Sequence, residues 1–572
     1  MTTQRVYLST TIPYVNSRAH LGHALELVQA DVLARHHRRI GDDVRLQSGT
    51  DDNSLKNVLA AAAEGISTRE LVNRNAAAFA SLREHLSLSF DDFIRTSSDP
   101  RHRPGVERLW RACAASGDLY RKSYQGLYCV GCEQFYQPGE LPQGNCPEHG
   151  VPPQPVAEEN WFFRLSRYAD QLHEEISSGR LRIEPAARRS EVLGFIAGGL
   201  ADFSASRPVA RARGWGIGVP GDPTQVIYVW WDALGNYITS LGYGGRRADY
   251  DRWWTGADQR VHLAGKGVLR FHAVYWPAIL LSAGEPLPTE ILVHDYLTVD
   301  GRKISKSAGT AASPPGTGPA GGTVVSTDPA QLADTYGVDA VRWWLLRDVP
   351  RVGDADFTAD RLIARANEDL ANGLGNLVSR VVALVHNYRG GVIRPCACPA
   401  GTSPWLAVAA GPRTFVAAGA PDWPADAACL RAAIERAPGA ILAALAGFDF
   451  RAATAGVWAI VEEANRYVDA TQPWQVARAE RAGDPAAGPR LDAILGALIA
   501  SCQVLAAEIW PFLPDLAARI AAACNDCAGV LPQPRPLFPR IETRQYPATA
   551  TPAAGAGRRA DSRRSKTQEE VA

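Results

Sequence analysis

Methionine is almost absent from this chain: Met1 is the only one among 572 residues. Lysine is nearly as scarce, confined to Lys56, Lys122, Lys266, Lys303, Lys306 and Lys566, so arginine supplies almost all of the 60 basic residues. A GC-rich coding bias accounts for the skew as a whole. It also makes each remaining lysine informative, because a guanidinium does not replace a compact ammonium charge. Net charge is missing too, with 60 acidic residues against 60 basic ones. No global field therefore draws the protein to nucleic acid or membrane, and any nucleic-acid site has to be local. The opening MTTQRVYLSTTIPYVN has no basic segment followed by an apolar run, so no export signal is read there. The most apolar stretch, 493–507, is interrupted by Ser501 and Gln503 and flanked by Asp492 and Glu508. It reads as a buried helix rather than a membrane span. A cytoplasmic location is expected, with the ten cysteines as thiols or metal ligands rather than disulfides.

What is present describes an ordinary globular protein, 46% apolar and 21% charged, long enough for three or four domains. A strand at 5–10 (RVYLST), a helix at 21–39, a strand at 44–47 and an Ala-rich helix after the polar turn 49–54 follow one another. This alternation predicts a parallel α/β sheet. From about Tyr120 short aromatic strands around Cys129 and His149 break the pattern and read as an inserted module. The α/β signal returns at 225–231 (QVIYVWW) and 261–263. After about Asp356, Ala, Leu, Val and Arg at helical spacing predict an all-α region to about Cys524. The Gly/Ala/Pro-rich stretches 309–322 and 397–427 read as exposed loops, and the tail from Thr549 has a disordered composition.

Three motifs carry chemistry. His20-Leu21-Gly22-His23 follows a strand and opens a helix, where free N–H groups and the helix dipole favour anions. Two imidazoles add donors there, and Gly22 lets a flat base approach; by itself the tetrapeptide is equally a polar cap. Lys303-Ile304-Ser305-Lys306-Ser307 places two of the six lysines on one loop, suited to the charge of a pentacoordinate phosphorus and a leaving pyrophosphate. In a lysine-rich chain a solvated turn would explain it, but here function is the better reading. Cys129-x2-Cys132-x13-Cys146-x2-His149 has the spacing of a tetrahedral zinc site. With all four positions filled, such a site is structural. Cys396 with Cys398, and Cys524 with Cys527, are not read as a second site; Cys524 and Cys527 fit a helix end as small buried residues.

Together, in this order and straddling an insertion, the first two motifs resemble the HIGH and KMSKS signatures of class I aminoacyl-tRNA synthetases. The match is best to the methionyl-tRNA synthetases and covers about residues 7–537. It rests on TIPYVN (11–16), GLYCVGCEQFY (126–136), NWFFR (160–164), YVWWDALGNY (228–237), FHAVYWP (271–277) and YVDATQPW (467–474). The resemblance implies a Rossmann-like α/β catalytic domain in two halves, 1–115 and 225–298. Between them lies a zinc-bearing connective-peptide insertion at 116–224. A KMSKS-loop and stem-contact region (299–357), an α-helical anticodon-binding domain (358–540) and a disordered tail (541–572) follow.

The resemblance further implies ATP, L-methionine and tRNA(Met) as partners, Mg2+ with the nucleotide, one structural Zn2+ on Cys129, Cys132, Cys146 and His149, and a monomer. His20, His23, Lys303 and Lys306 would be catalytic, with Gly22 and Lys266 also at the ATP site. Asp51 would hold the α-ammonium and Ile12 a backbone contact. Tyr14, Trp230, Leu234, Tyr237 and His272 would surround the side chain, apolar and polarizable as a thioether requires. Asn376 and Arg380, four apart on a helix, and Trp474 in a loop-like QPW would read the anticodon by hydrogen bonds and stacking.

The chain departs from the family at Asn53 (histidine in the family), at Gly267 (aspartate), at Ile304 (methionine) and in the Pro/Gly-rich stretch after Gly309. These departures keep two rivals open. One is a specialised paralogue, resistant to inhibitors or activating methionine for a small-molecule pathway. The other is a catalytically silent tRNA-binding regulator.

Overall fold

The computed structural model describes residues 3–129, 134–136, 138–147, 150–299, 301–304, 326–392, 423–525 and 530–542. Lys306, Cys132, His149, Cys396, Cys398, Cys527, the stretch 309–322, most of 397–427, the tail and the side chain of Lys303 lie outside the described residues.

Six parallel strands form the central sheet: β1 (Arg5–Thr10), β2 (Asp43–Thr50), β3 (Asp92–Arg95), β4 (Arg182–Glu184), β5 (Gln259–Gly265) and β6 (Glu290–His294). Their spatial order is β3-β2-β1-β5-β6-β4. The chain runs outward from β1 to one edge and then crosses to the other side. The switch point therefore lies between β1 and β5, where open α/β sheets bind ligands beyond the strands' C-terminal ends. Side chains on β1 alternate as a strand requires: Val6 and Leu8 join one apolar cluster, while Tyr7 joins an aromatic cluster on the opposite face.

Helix α1 (Leu21–Ile40) buries Leu21, Leu25, Val28 and Val32 against the first cluster. It ends on Gly41, whose φ of 95° closes the helix in the left-handed region, after a basic last turn. The same cluster continues through α4 (Val338–Arg347) into the helical region: α5 (Asn376–Arg389), α6 (Phe450–Thr471), α7 (Pro473–Arg481), α8 (Ala487–Ile509) and α9 (Pro514–Cys524). Helix α8 is long and apolar enough to cross a membrane, but 67% of its apolar window is buried inside the fold. It is the core of the helical region. On the other face pack α2 (His102–Ala115) and α3 (Val229–Thr239).

Three local expectations change. The strand expected at 225–231 ends at Ile227, and from Val229 the chain is helical. The helix wins because Asp232 and Asn236 are buried polar groups that find partners only on its faces: Asn53 and His102 for Asp232, Gln47 for Asn236. Trp474 is not in a loop but in the first turn of α7, entered through Gln472 at φ 44° with Pro473 at the first helical position. And β4, from within the segment expected as insertion, forms an edge of the main sheet. The rest of that segment includes a four-stranded antiparallel sheet of Leu119–Cys129, Gln134–Tyr136, Gln154–Phe163 and Phe203–Ser204.

Near the end of α1, His36 is buried with neither ring nitrogen hydrogen-bonded among the described residues. Burial, aided by His37 and Arg39, lowers its pKa to about 3. The unfolded chain protonates this residue below its ordinary value near pH 6.5, whereas the fold refuses the proton. Stability is thus complete above that pH and is lost between there and about pH 3, by about 2 kcal/mol at pH 5. His262 and His272, both lowered by burial, act in the same sense, and His294, raised, acts oppositely. His36→Leu is expected to shrink the drop in unfolding midpoint between pH 7.5 and 5.0. An unchanged drop would remove His36 from the account.

Candidate functional site

The site forms where the strands end. After β1, Ile12 and Tyr14 turn toward the loop after β2: Tyr14 and Asp51 form a parallel backbone bridge, and the Asp51 N–H donates to the Pro13 carbonyl at 2.9 Å. Gly49 is obligatory here, since a Cβ would overlap the Ile94 carbonyl oxygen on β3. Of the two adjacent carboxylates, Asp52 is the foundation. It accepts from Thr50 Oγ1 at 2.8 Å, Arg95 Nη2 at 2.8 Å and Ser97 Oγ at 2.7 Å. Its carbonyl also accepts from Trp215 Nε1 at 2.8 Å. Asp51 is buried beside Tyr14, with the Asn53 N–H on its Oδ1 at 3.1 Å.

The wall facing this loop is aromatic. Trp230, Leu234 and Tyr237 share one face of α3, spaced four and three residues apart. Trp230 stacks on Phe271 with centroids 3.8 Å apart and meets the Tyr14 ring edge-on at 6.2 Å. His272 donates from Nδ1 to the Val268 carbonyl at 2.9 Å, so its Nε2 accepts the Tyr237 hydroxyl at 2.8 Å. Burial outweighs the Val268 carbonyl and Glu26 and holds the His272 pKa below its ordinary value. Burial likewise lifts Tyr237 well above. Both stay neutral near pH 7, leaving Asp51 as the acidic member of this group of side chains.

At the mouth of α1 the His20 and His23 rings stack at 3.8 Å. His23 Nδ1 accepts the His20 N–H at 3.1 Å, so a neutral His23 carries its proton on Nε2 and can donate it to an oxyanion. A Cβ on Gly22 would press on the His20 ring at 3.0 Å. No acidic residue occupies the first turn, as an anion site requires. One turn further, Glu26 accepts from the Thr11 N–H and hydroxyl, both at 2.6 Å, and pairs with His294 at 2.9 Å. It ties α1 to the ends of β1 and β6.

Lys266 is held where β5 ends: its Nζ lies 2.5 Å from Asp354, 3.8 Å from Asp295 and over the Tyr296 ring at 4.5 Å. Asp354 also accepts the Tyr296 N–H at 3.0 Å. The short strand Arg302–Lys303 pairs with Leu297–Val299, which pairs in turn with Ala355–Asp356. Lys266 thus clamps the base of the hairpin that leads into the lysine motif. Gly267 has a local reason, because a Cβ there would overlap the Tyr296 hydroxyl. Asn53 has one too: its amide donates to Asp232 at 2.8 Å.

On the helical region Asn376 opens α5 exposed, and Arg380 follows one turn later with its guanidinium 5.4 Å from the Trp474 ring and 3.2 Å from Asp469. Trp474 is 38% exposed, unusual for a tryptophan in this fold. Cys129 and Cys146 are both buried in one small cluster with Tyr136 and Leu141. Sequence reasoning passed over Phe271, Glu26, His294, Asp232 and Lys56, whose ammonium lies over Tyr14 at 4.6 Å. A buried-side glutamate in the apolar run HALELV, and lysine scarcity itself, were the available signals for Glu26 and Lys56.

Comparison with known proteins places the chain in one family. The family model described as tRNA synthetases class I (M) matches residues 6–155 and 138–382. The methionine–tRNA ligase of Clostridium perfringens is 36% identical over 521 residues, covering 91% of this chain and 73% of the relative. That of Mycobacterium tuberculosis H37Rv is 36% identical over 554 residues, covering 96% of each. The structure of M. tuberculosis methionyl-tRNA synthetase in complex with methionyl-adenylate superposes with a TM-score of 0.81 at 34% identity, covering 94% of this chain and all of that one.

Proposed function

The chain belongs to the methionine–tRNA ligases of the class I tRNA synthetases, enzymes that form methionyl-adenylate from methionine and ATP before charging tRNA, and on that premise we propose how its residues divide the work. The neutral aromatic wall beside Asp51 carries the reading. Asp51 takes the α-ammonium of L-methionine, with Ile12 on the backbone, and Tyr14, Trp230, Leu234, Tyr237 and His272 enclose the thioether. A methionine carboxylate oxygen attacks the α-phosphorus of ATP, and the bond to the β-phosphate oxygen breaks as pyrophosphate leaves. His20, Gly22 and His23 receive the nucleotide at the α1 N-terminus, and Lys303 and Lys306 stabilise the charge that develops. Mg2+ bound with the nucleotide neutralises its phosphates. Lys266 acts at the border of that site. The terminal adenosine of tRNA(Met) then attacks the adenylate carbonyl and AMP leaves. Positioning and electrostatics suffice without a dedicated general base.

Asn376, Arg380 and Trp474 read the anticodon, within the helical domain 358–540. Within the segment 116–224, Cys129, Cys132, Cys146 and His149 would hold one structural zinc. The burial of Cys129 and Cys146 in one small cluster with Tyr136 and Leu141 supports that reading. The enzyme works as a cytoplasmic monomer.

Methionine-dependent ATP–pyrophosphate exchange and tRNA(Met) charging, measured side by side, test this. Both activities are expected in the wild type. Trp474→Ala should lower charging kcat/KM for tRNA about 10- to 100-fold, the worth of one stacked base, and leave exchange unchanged. Exchange without charging would favour the small-molecule pathway, and neither activity the silent regulator. Undiminished charging by Trp474→Ala would remove the anticodon assignment.

A further inference from the structure

We propose that His262 is a positioning residue for methionine selection: pinned flat behind Tyr237 by two hydrogen bonds, it fixes the plane of the ring that discriminates the thioether. The proposal rests on the methionine pocket described above. His262 sits on β5, fully buried, in register with Ser9 on β1. Trp276 Nε1, which can only donate, points at His262 Nε2 at 3.2 Å. The ring proton is therefore on Nδ1, which donates to Ser9 Oγ at 2.6 Å. Ser9 passes its own proton toward the Val261 carbonyl at 3.4 Å. Both ring nitrogens are satisfied, and neither bond survives rotation of the ring.

Two aromatic rings lie nearly parallel to this fixed imidazole. Tyr237 stacks on it at 4.0 Å and 28°, and Trp254 lies 5.9 Å away at 25°. Tyr237 is held at its hydroxyl by His272 and at its carbonyl by the Tyr7 hydroxyl at 2.8 Å. What remains is rotation of its ring plane, and His262 is the surface that stops it. Burial and the neighbouring His272 and Arg260 keep the imidazole neutral, so no charge is added to the pocket.

A leucine would fill this volume without the cost of burying two polar nitrogens. It would, however, present a rounded, rotatable surface. A pocket wall distinguishes substrates differing by one methylene only about 10- to 200-fold, and that margin depends on a wall that does not yield. Norleucine replaces the sulfur with a methylene, and ethionine is one methylene longer, so both report on the wall.

The test is the ratio of kcat/KM for methionine to that for norleucine and ethionine in ATP–pyrophosphate exchange, with thermal unfolding alongside. His262→Leu is expected to lower the ratio five- to tenfold and raise KM for methionine, with kcat changed less than twofold. Trp276→Phe, which removes one pin and keeps an aromatic ring, should lower the ratio by a smaller factor, and carries the test where His262→Leu does not fold. A lower unfolding temperature with an unchanged ratio in the folded variants would make His262 merely structural and overturn the proposal. Tyr237→Leu separates the premise. If it leaves methionine KM and the ratio unchanged, the pocket assignment itself fails; if it alters both while the His262 and Trp276 variants do not, only the proposal fails.

Discussion

Asp51→Ala is expected to lower kcat/KM for methionine in ATP–pyrophosphate exchange about 100- to 1,000-fold, nearly all of it through KM. Truncating one partner of a buried charge pair costs about 2–5 kcal/mol, and each 1.4 kcal/mol is tenfold. Asp51 is buried at the C-terminal end of β2 and bridged to Tyr14, in a pocket whose Tyr237 and His272 stay neutral. The neighbouring carboxylates are committed elsewhere, Asp52 to Thr50, Arg95 and Ser97, and Asp232 to Asn53 and His102. The ammonium keeps its charge from ground state to transition state, so the contact is one of uniform binding, which appears in KM and leaves kcat near its wild-type value. Asp52→Ala should behave oppositely. It strips the partners from Arg95, Ser97 and Thr50 and lowers stability, because Asp52 builds the loop that presents Asp51. A methionine KM within threefold of wild type in folded Asp51→Ala protein would end the assignment of Asp51.

This contrast shows what a sequence conveys and what it hides. The string GTDDNS announces a polar turn after a strand, and family likeness points at Asp51. Only the fold says that the two carboxylates point to different tasks. The parallel sheet was legible because short apolar strands at β1 and β2 alternate with helical segments and polar turns. So was α1, with its 3.6-residue apolar stripe. The run QVIYVWW misled because aromatic and β-branched residues suit a buried strand and a buried helix alike. The decision lay in long-range partners of Asp232 and Asn236, namely His102, Asn53 and Gln47, that no local window contains. Trp474 misled in the other direction: QPW looks like a loop, yet proline at the first helical position starts α7 and aims the indole outward beside Arg380. Lys266 was legible as a kept lysine, but its hold on Asp354 depends on a residue 88 positions away.

Arg342→Ala is expected to destabilise the protein by about 3–5 kcal/mol, the cost of breaking a fully buried ion pair from one side. Arg342, on α4, is 0% exposed and donates to Asp31 Oδ2 at 2.8 Å, to the Phe512 carbonyl at 2.7 Å and to the Leu86 carbonyl at 2.9 Å. One side chain thus joins α1, the segment before β3 and the junction of α8 with α9. Burial alone would raise the Asp31 pKa, but Arg342 and Arg35 outweigh it and hold the carboxylate ionised. Removing Arg342 leaves that charge to Arg35 and strands buried carbonyls that water cannot reach. Arg342→Lys should lose nearly as much, since an ammonium cannot reproduce a fork that spans three acceptors. Arg39 with Glu508, and Arg35 over Trp510 at 5.2 Å, add a second tie between α1 and α8. The helix that presents His20 and His23 at one end is therefore bolted to the helical region at the other. Heat should then abolish exchange and charging together in Arg342→Lys, at a lower temperature than in the wild type, whereas Trp474→Ala separates the two activities at every temperature. Unfolding of Arg342→Ala in urea at the wild-type midpoint would show that the knot contributes nothing.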